Sequence, residues 1–150
     1  WAVGAGAGLA LLCDTIVAGR SARFAFSFLR VGLVPDYGLS LTLPRRIGHT
    51  RAADLLLGAG QIEAGDGAQI GLVDVAVEDE AVEAAALDRA SRLAQQPPMA
   101  YALAKRMLLA SPASLDATLD AEAASQALCF LGAEHDEGKR ALLEKRAPSF

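Results

Sequence analysis

Residues 4–26 read GAGAGLALLCDTIVAGRSARFAF. Gly4, Gly6 and Gly8 alternate with alanine, then an apolar run ends at Cys13-Asp14. This pattern predicts a glycine turn followed by a short buried helix over residues 6–14. Residues 15–18 (TIVA) and 23–26 (RFAF) are β-branched or aromatic and bounded by turn residues, so they read as short strands. Small residues at the turn let the backbone approach a ligand closely, and the helix behind it aims free N–H groups forward. Such amides suit a phosphate, or the oxyanion that develops on a carbonyl. Tight helix–strand packing explains the same small residues equally well. The run is not GxGxxG and no Lys-Ser/Thr pair follows, so neither a dinucleotide site nor a P-loop fits.

Working outward, residues 31–37 form a loop with Gly32 and Pro35. Asp36 or Tyr37 then opens a helix to about Ile47, in which Pro44 is tolerable only as a break. Thr50 is a candidate N-cap for the next helix, with Gly58 or Gly60 at its stop. Residues 61–62 read as extended, 64–70 as a small helix and 72–77 as the last strand. From residue 79 the pattern is helical. Helices are expected over 81–95, over 99–109 after Pro97-Pro98, and over 115–131 after a break at Pro112. A fourth follows Gly132 and runs through Glu137 to Lys145. The predicted fold class is α/β, with residues 1–78 as the α/β portion and 79–150 as a helical C-terminal region.

The chain has 150 residues, 53% of them hydrophobic and 21% charged, with formal net charge −4. That apolar fraction is too high for a disordered chain, and the acidic balance argues against nucleic acid, which wants clustered Lys and Arg. No apolar run approaches the ~20 residues of a membrane span. Cys13 and Cys129 lie in apolar helical surroundings without a CxxC pattern and are expected to be buried free thiols. His49 and His135 have no metal-ligand spacing. Trp1 has no Met before it and runs at once into the glycine turn, so residues are expected upstream.

Two further segments carry possible chemistry. Asp36, in the apolar stretch VGLVPDYGLSLTL, reads either as a helix N-cap or as a base whose pKa would rise if its neighbours desolvate it. The C-terminal EGKRALLEKRAPSF gathers Lys139, Arg140, Lys145 and Arg146. That cluster is either a solvated helix face or an anion-binding end.

Taken together, GAGAGLALLCDTIVAGRSARFAF, VGLVPDYG, LPRRIG, RAADLLLGAGQIEAGDGAQIGLVDVAV and EHDEGKRALLEKRAPSF resemble the crotonase, or enoyl-CoA hydratase/isomerase, superfamily. The match covers essentially the whole chain in family order. The resemblance implies a core of repeated ββα turns with a helical C-terminal region. It also implies a cytoplasmic enzyme assembled as a homotrimer or dimer of trimers, with no membrane or nucleic-acid partner. Its substrate would be a coenzyme A thioester. No metal or redox cofactor is implied, because coenzyme A is part of the substrate.

The resemblance also assigns roles. The Ala5 amide, flanked by Gly4 and Gly6, would be one of two N–H donors to the thioester oxygen. Lys145 would reach coenzyme A phosphates, and Phe26, Phe28 and Leu33 would line the acyl pocket. Hydratases of the superfamily use two glutamates, whose positions here are Gly8 and Phe28, and neither can ionise. Asp36 matches the acidic residue in the P-D-x-G segment of certain enoyl-CoA isomerases. FAFSFLRVGLVPDYG is similar to the epoxyphenylacetyl-CoA isomerase branch of phenylacetate degradation. Leu39, Leu41 and Thr42 depart from that segment's usual G-G-T-x-x-L continuation. The implied reaction is a 1,3-proton shift with Asp36 as base. The alternatives are a hydratase or other crotonase chemistry, and a non-catalytic acyl-CoA-binding subunit.

Overall fold

Two short sheets carry the first half of the chain in the computed structural model, which describes residues 1–110 and 114–150. Strand β1 (Ala2–Val3) leads through Gly4 into helix α1 (Ala5–Leu11), and β2 (Val17–Gly19) and β3 (Arg23–Ala25) follow. A 3-10 turn (Ser27–Val31) and an irregular stretch precede α2 (Leu39–Ile47) and α3 (His49–Leu57). Then come β4 (Gln61–Glu63), α4 (Ala64–Gln69) and β5 (Val75–Val77). β3 is the centre of one sheet, parallel to β1 and antiparallel to β4. β2 and β5 pair in parallel with Val17 opposite Val75. Parallel strands need a long crossover, and here the crossover holds everything from β3 to α4.

The chain divides into two compact units, Trp1–Asp88 and Arg89–Phe150. The dividing point lies inside α5 (Val82–Ala94), ten residues beyond the expected end of the α/β portion. The first unit has a closed core. Phe26, Leu39, Leu43 and Leu72 are fully buried, and Ala7, Leu11, Phe24, Phe28, Ile47 and Leu56 join them. In α2 the buried Leu39, Leu43 and Ile47 recur every four residues, which is the spacing of one helix face.

Several local expectations change. Helix α1 begins at Ala5 and buries only one face, Ala7, Gly8 and Leu11, while Leu9 is exposed. Cys13 is exposed and Cys129 half-exposed, so the thiols are free but not buried; Cys13 lies in the bend just beyond α1, and α7, which carries Cys129, has no buried residue. Helix α2 runs through Pro44 without a break, and the Pro44 carbonyl accepts from Gly48 N–H at 2.9 Å. The buried Leu43 and Ile47 on either side hold the helix together where proline removes a donor. Thr50 lies inside α3, whose N-cap is Gly48 in a conformation with φ 82°. The expected break at Pro112 falls outside the described residues.

The second unit is helical: α6 (Pro98–Ala110), α7 (Leu115–Phe130) and α8 (Ala133–Glu144). Glu134 of α8 accepts from the Met99 amide at 3.1 Å, satisfying a free donor at the start of α6. Among the described residues of this unit only Ala141 is a buried apolar residue. Beyond α8 the chain folds back on itself. Arg146 grips both oxygens of Glu137, at 2.6 and 3.0 Å, and reaches Glu144 through Nε at 2.6 Å. The Ser149 amide adds a 3.0 Å bond to Glu137. No helix among the described residues is long and apolar enough to cross a membrane.

Candidate active site

The glycine turn is built around a backbone only glycine adopts easily. Gly4 has φ +54° and donates its N–H to Ala25 O at 2.8 Å, which fixes the turn to strand β3. A Cβ on Gly4 would meet the Phe28 ring at 3.5 Å, so Phe28 closes the space behind the turn. Gly6 faces open space. Ala5 is the first residue of α1, so its N–H is among those without a carbonyl inside the helix to bond.

The Asp36 segment comes next. Asp36 O accepts from Leu39 N–H at 3.0 Å, closing a tight turn over residues 36–39. Both inner residues have positive φ, Tyr37 at 48° and Gly38 at 74°, as in a type I′ turn. A tyrosine in that region costs about 1–2 kcal/mol relative to ordinary backbone. The N-cap of α2 is Gly38 and no side chain caps the helix, so Asp36 is not a capping residue. The Asp36 side chain is exposed, and its apolar neighbours Leu33 and Val34 are exposed beside it rather than folded over it. The expected desolvation by these neighbours is therefore absent in the chain by itself.

The structure brings the glycine helix and the Asp36 turn together. Gly8 is buried, and a Cβ added to it would lie 2.5 Å from Tyr37 Cβ. The other expected residues fall in different settings. Phe26 is fully buried and Phe28 nearly so, both within the core, while Leu33 is 59% exposed. Leu33 stays near Phe28 through a 3.0 Å bond from its N–H to the Phe28 carbonyl. Lys145 belongs to the second unit, where it ends α8 in a left-handed conformation at φ 52°, exposed and next to the Arg146 clasp. Hydrogen bonds from Arg146 and the Ser149 amide hold the Glu137 carboxyl down at about 2, and Glu137 and Glu144 push the Arg146 guanidinium up. Among the described residues no three His, Cys, Asp or Glu side chains gather as a metal-binding group.

The residue that sequence reasoning missed is Tyr37. Its only sequence signal is indirect: a glycine at position 8, on the inward face of an otherwise apolar helix.

Comparison with known proteins decides the family. The model of the enoyl-CoA hydratase/isomerase family matches residues 1–150. The chain belongs to that family. Within it, the chain is 39% identical over 150 residues to the 1,2-epoxyphenylacetyl-CoA isomerase of Escherichia coli, covering 99% of this chain and 57% of that protein. It is 40% identical over 154 residues to the 2,3-dehydroadipyl-CoA hydratase of the same organism, covering 100% of this chain and 59% of that one. The crystal structure of an enoyl-CoA hydratase/isomerase from Cupriavidus metallidurans superposes with a TM-score of 0.92 at 38% identity. That match covers 98% of this chain and 56% of that one. The crotonase-type α/β fold is thereby shown for a partial domain, because the chain spans under three-fifths of the length of these relatives.

Proposed function

We propose that the whole protein shifts a double bond in an unsaturated acyl-CoA, with Asp36 as the base. The Asp36 carboxylate takes a proton from one carbon of the acyl chain. The electron pair moves toward the thioester, and negative charge collects on its oxygen. The Ala5 N–H and a second donor outside this chain hold that charge, a preorganised arrangement worth about 3–4 kcal/mol per donor in comparable sites. The same carboxyl group then returns a proton two carbons away, so mass is conserved and Asp36 is regenerated.

One observation carries this reading: Asp36 sits on a tight turn seated directly on the helix that begins at Ala5, and its side chain is not used as a cap. The identity to a protein named as an isomerase supports it. The acyl chain would cover the exposed Asp36 side chain and exclude water from the reacting carbons. Phe28 would back the acyl pocket with Phe26 behind it and Leu33 at its exposed margin. Gly4 and Gly6 would let the thioester approach the turn, and Lys145 would meet coenzyme A phosphates. No cofactor beyond the substrate's own coenzyme A is part of the proposal, and the assembly proposed is a homotrimer or dimer of trimers in the cytoplasm.

Hydration is the second reading, favoured by the relative named as a hydratase. It needs a water-activating carboxylate, and neither Gly8 nor Phe28 supplies one.

The test is to give the whole protein 3-enoyl-CoA in deuterated water and weigh the product. A 2-enoyl product without added water, carrying only deuterium exchanged from solvent, is expected. In Asp36→Asn, turnover should fall about 10²–10⁴-fold, the usual contribution of a general base, with binding retained. A 3-hydroxyacyl product would replace this reading with hydration.

A further inference from the structure

The turn that carries Asp36 has two side chains that can anchor it, Leu39 at its end and Tyr37 within it. Asp36 itself is exposed, Gly38 has no side chain, and Leu39, fully buried, already belongs to α2. Tyr37 lies between them with its backbone in the left-handed region, half-exposed, and with its Cβ pressed to Gly8. The fit at Gly8 is tight: an added Cβ would stand 2.5 Å from Tyr37 Cβ, 3.4 Å from Tyr37 Cγ and 3.6 Å from Leu39 Cγ. Position 8 of α1 is thus a slot that the base of the tyrosine side chain fills. A non-glycine residue holds positive φ only where its surroundings over-determine it, and this slot is what does so.

We infer that Tyr37, seated in the Gly8 slot, is a positioning residue for Asp36 in the proton shift proposed above, on which this inference rests. The peptide joining Asp36 to Tyr37 is held while the tyrosine Cβ is seated, so the Asp36 backbone, from which the carboxylate reaches out, keeps one place relative to α1. The contact is made by Cβ and Cγ, so the phenol oxygen takes no part in it. Releasing the anchor leaves a turn of similar stability, because glycine adopts positive φ freely, but one in which the base wanders.

The experiment measures kcat and KM of the whole protein with 3-enoyl-CoA for Tyr37→Gly, Tyr37→Phe, Gly8→Ala and Asp36→Asn, each with a thermal melt. Tyr37→Gly should lower kcat by about 10- to 100-fold, the cost of an ångström-scale misplacement, with KM within about twofold. Tyr37→Phe, which keeps the anchor, should restore kcat. Gly8→Ala forces the turn off from the other side and should lower kcat likewise. It keeps the test open if Tyr37→Gly fails to fold. Combining Gly8→Ala with Tyr37→Gly removes the clash, so the pair should lose less than the two separate losses multiplied together.

Full kcat in a folded Tyr37→Gly or Gly8→Ala, alongside an inactive Asp36→Asn, would overturn the positioning role. Loss of kcat in Tyr37→Phe would overturn it too, by placing the function on the hydroxyl. Undiminished turnover in Asp36→Asn would instead remove the base, and with it the reading on which the inference rests.

Discussion

The two units of this chain are both rich in leucine and alanine, yet they use them differently. In Trp1–Asp88 the large apolar side chains close on one another, and Phe26, Leu39, Leu43 and Leu72 have no more than a trace of exposed surface. In Arg89–Phe150 several leucines stay in the open: Leu108, Leu131, Leu142 and Leu143 are each about four-fifths exposed or more. The first unit is packed from within around buried side chains, whereas in the second the helices meet without a buried centre and polar contacts add to them, Glu134 on the start of α6 and Arg146 on Glu137. Apolar content alone therefore does not make a core; the large side chains must also close on one another.

Four measurements would break or sharpen this contrast. The largest effect belongs to the first unit, where Phe26→Ala should cost about 3–5 kcal/mol and Leu43→Ala about 2–5 kcal/mol in a urea titration. A loss below 1 kcal/mol at Phe26 would show that the packed core is not what holds that unit. Next is Asp74→Ala, which takes an acceptor from the Ile16 amide, now at 2.7 Å, and a partner from Arg46. Loss of a charged hydrogen-bond partner predicts about 1.5–3 kcal/mol.

The third measurement concerns the C-terminal clasp and its pH dependence. Arg146 holds the Glu137 carboxyl down at about 2 from an ordinary value near 4.5. A depressed acid contributes stability that is full above the unfolded value and lost as pH falls through the folded one. The clasp should therefore stay closed from neutral pH past 4.5 and open only as pH nears 2. Carboxyl resonances in an NMR titration would report this, and Glu137→Gln should erase the transition. The smallest effect is expected at Leu131→Ala and Leu143→Ala in residues 1–150, within about 0.5 kcal/mol for exposed positions. Losses as large as that at Phe26 in the whole protein would mean that something outside these residues covers them.

Much of this arrangement is legible in the sequence. The order of strands and helices follows from short β-branched runs and helical spacing, because each element here is defined by its own neighbours. What the sequence hides are features set by contacts far along the chain. Thr50 reads as a cap, yet Gly48 takes that place because two helices turn sharply there. Pro44 reads as a break, yet buried residues on both sides carry the helix through. Cys13 sits in an apolar string, but the helix ends before it and leaves it in an exposed bend. At the candidate site the glycine turn and Asp36 are both visible as motifs. Their meeting at Tyr37 is not, since a tyrosine with positive φ is disfavoured locally and its seat against Gly8 comes from far along the chain.

The parallel seam between β2 and β5 has a consequence for how the chain folds. Three of its side-chain links, Ile16 to Asp74, Arg20 to Glu78 and Ser21 to Asp79, each close a loop of 58 residues. Closing so long a loop costs entropy before any contact repays it, whereas α2 and α3 follow one another directly and find each other over a short distance. β5 is thus expected to dock late, after the middle of the chain has collapsed. Val75→Ala should then speed unfolding and leave the folding rate nearly unchanged in stopped-flow measurements. On that expectation the strand would act as a latch, and the rate at which it lifts would set how long the folded state lasts.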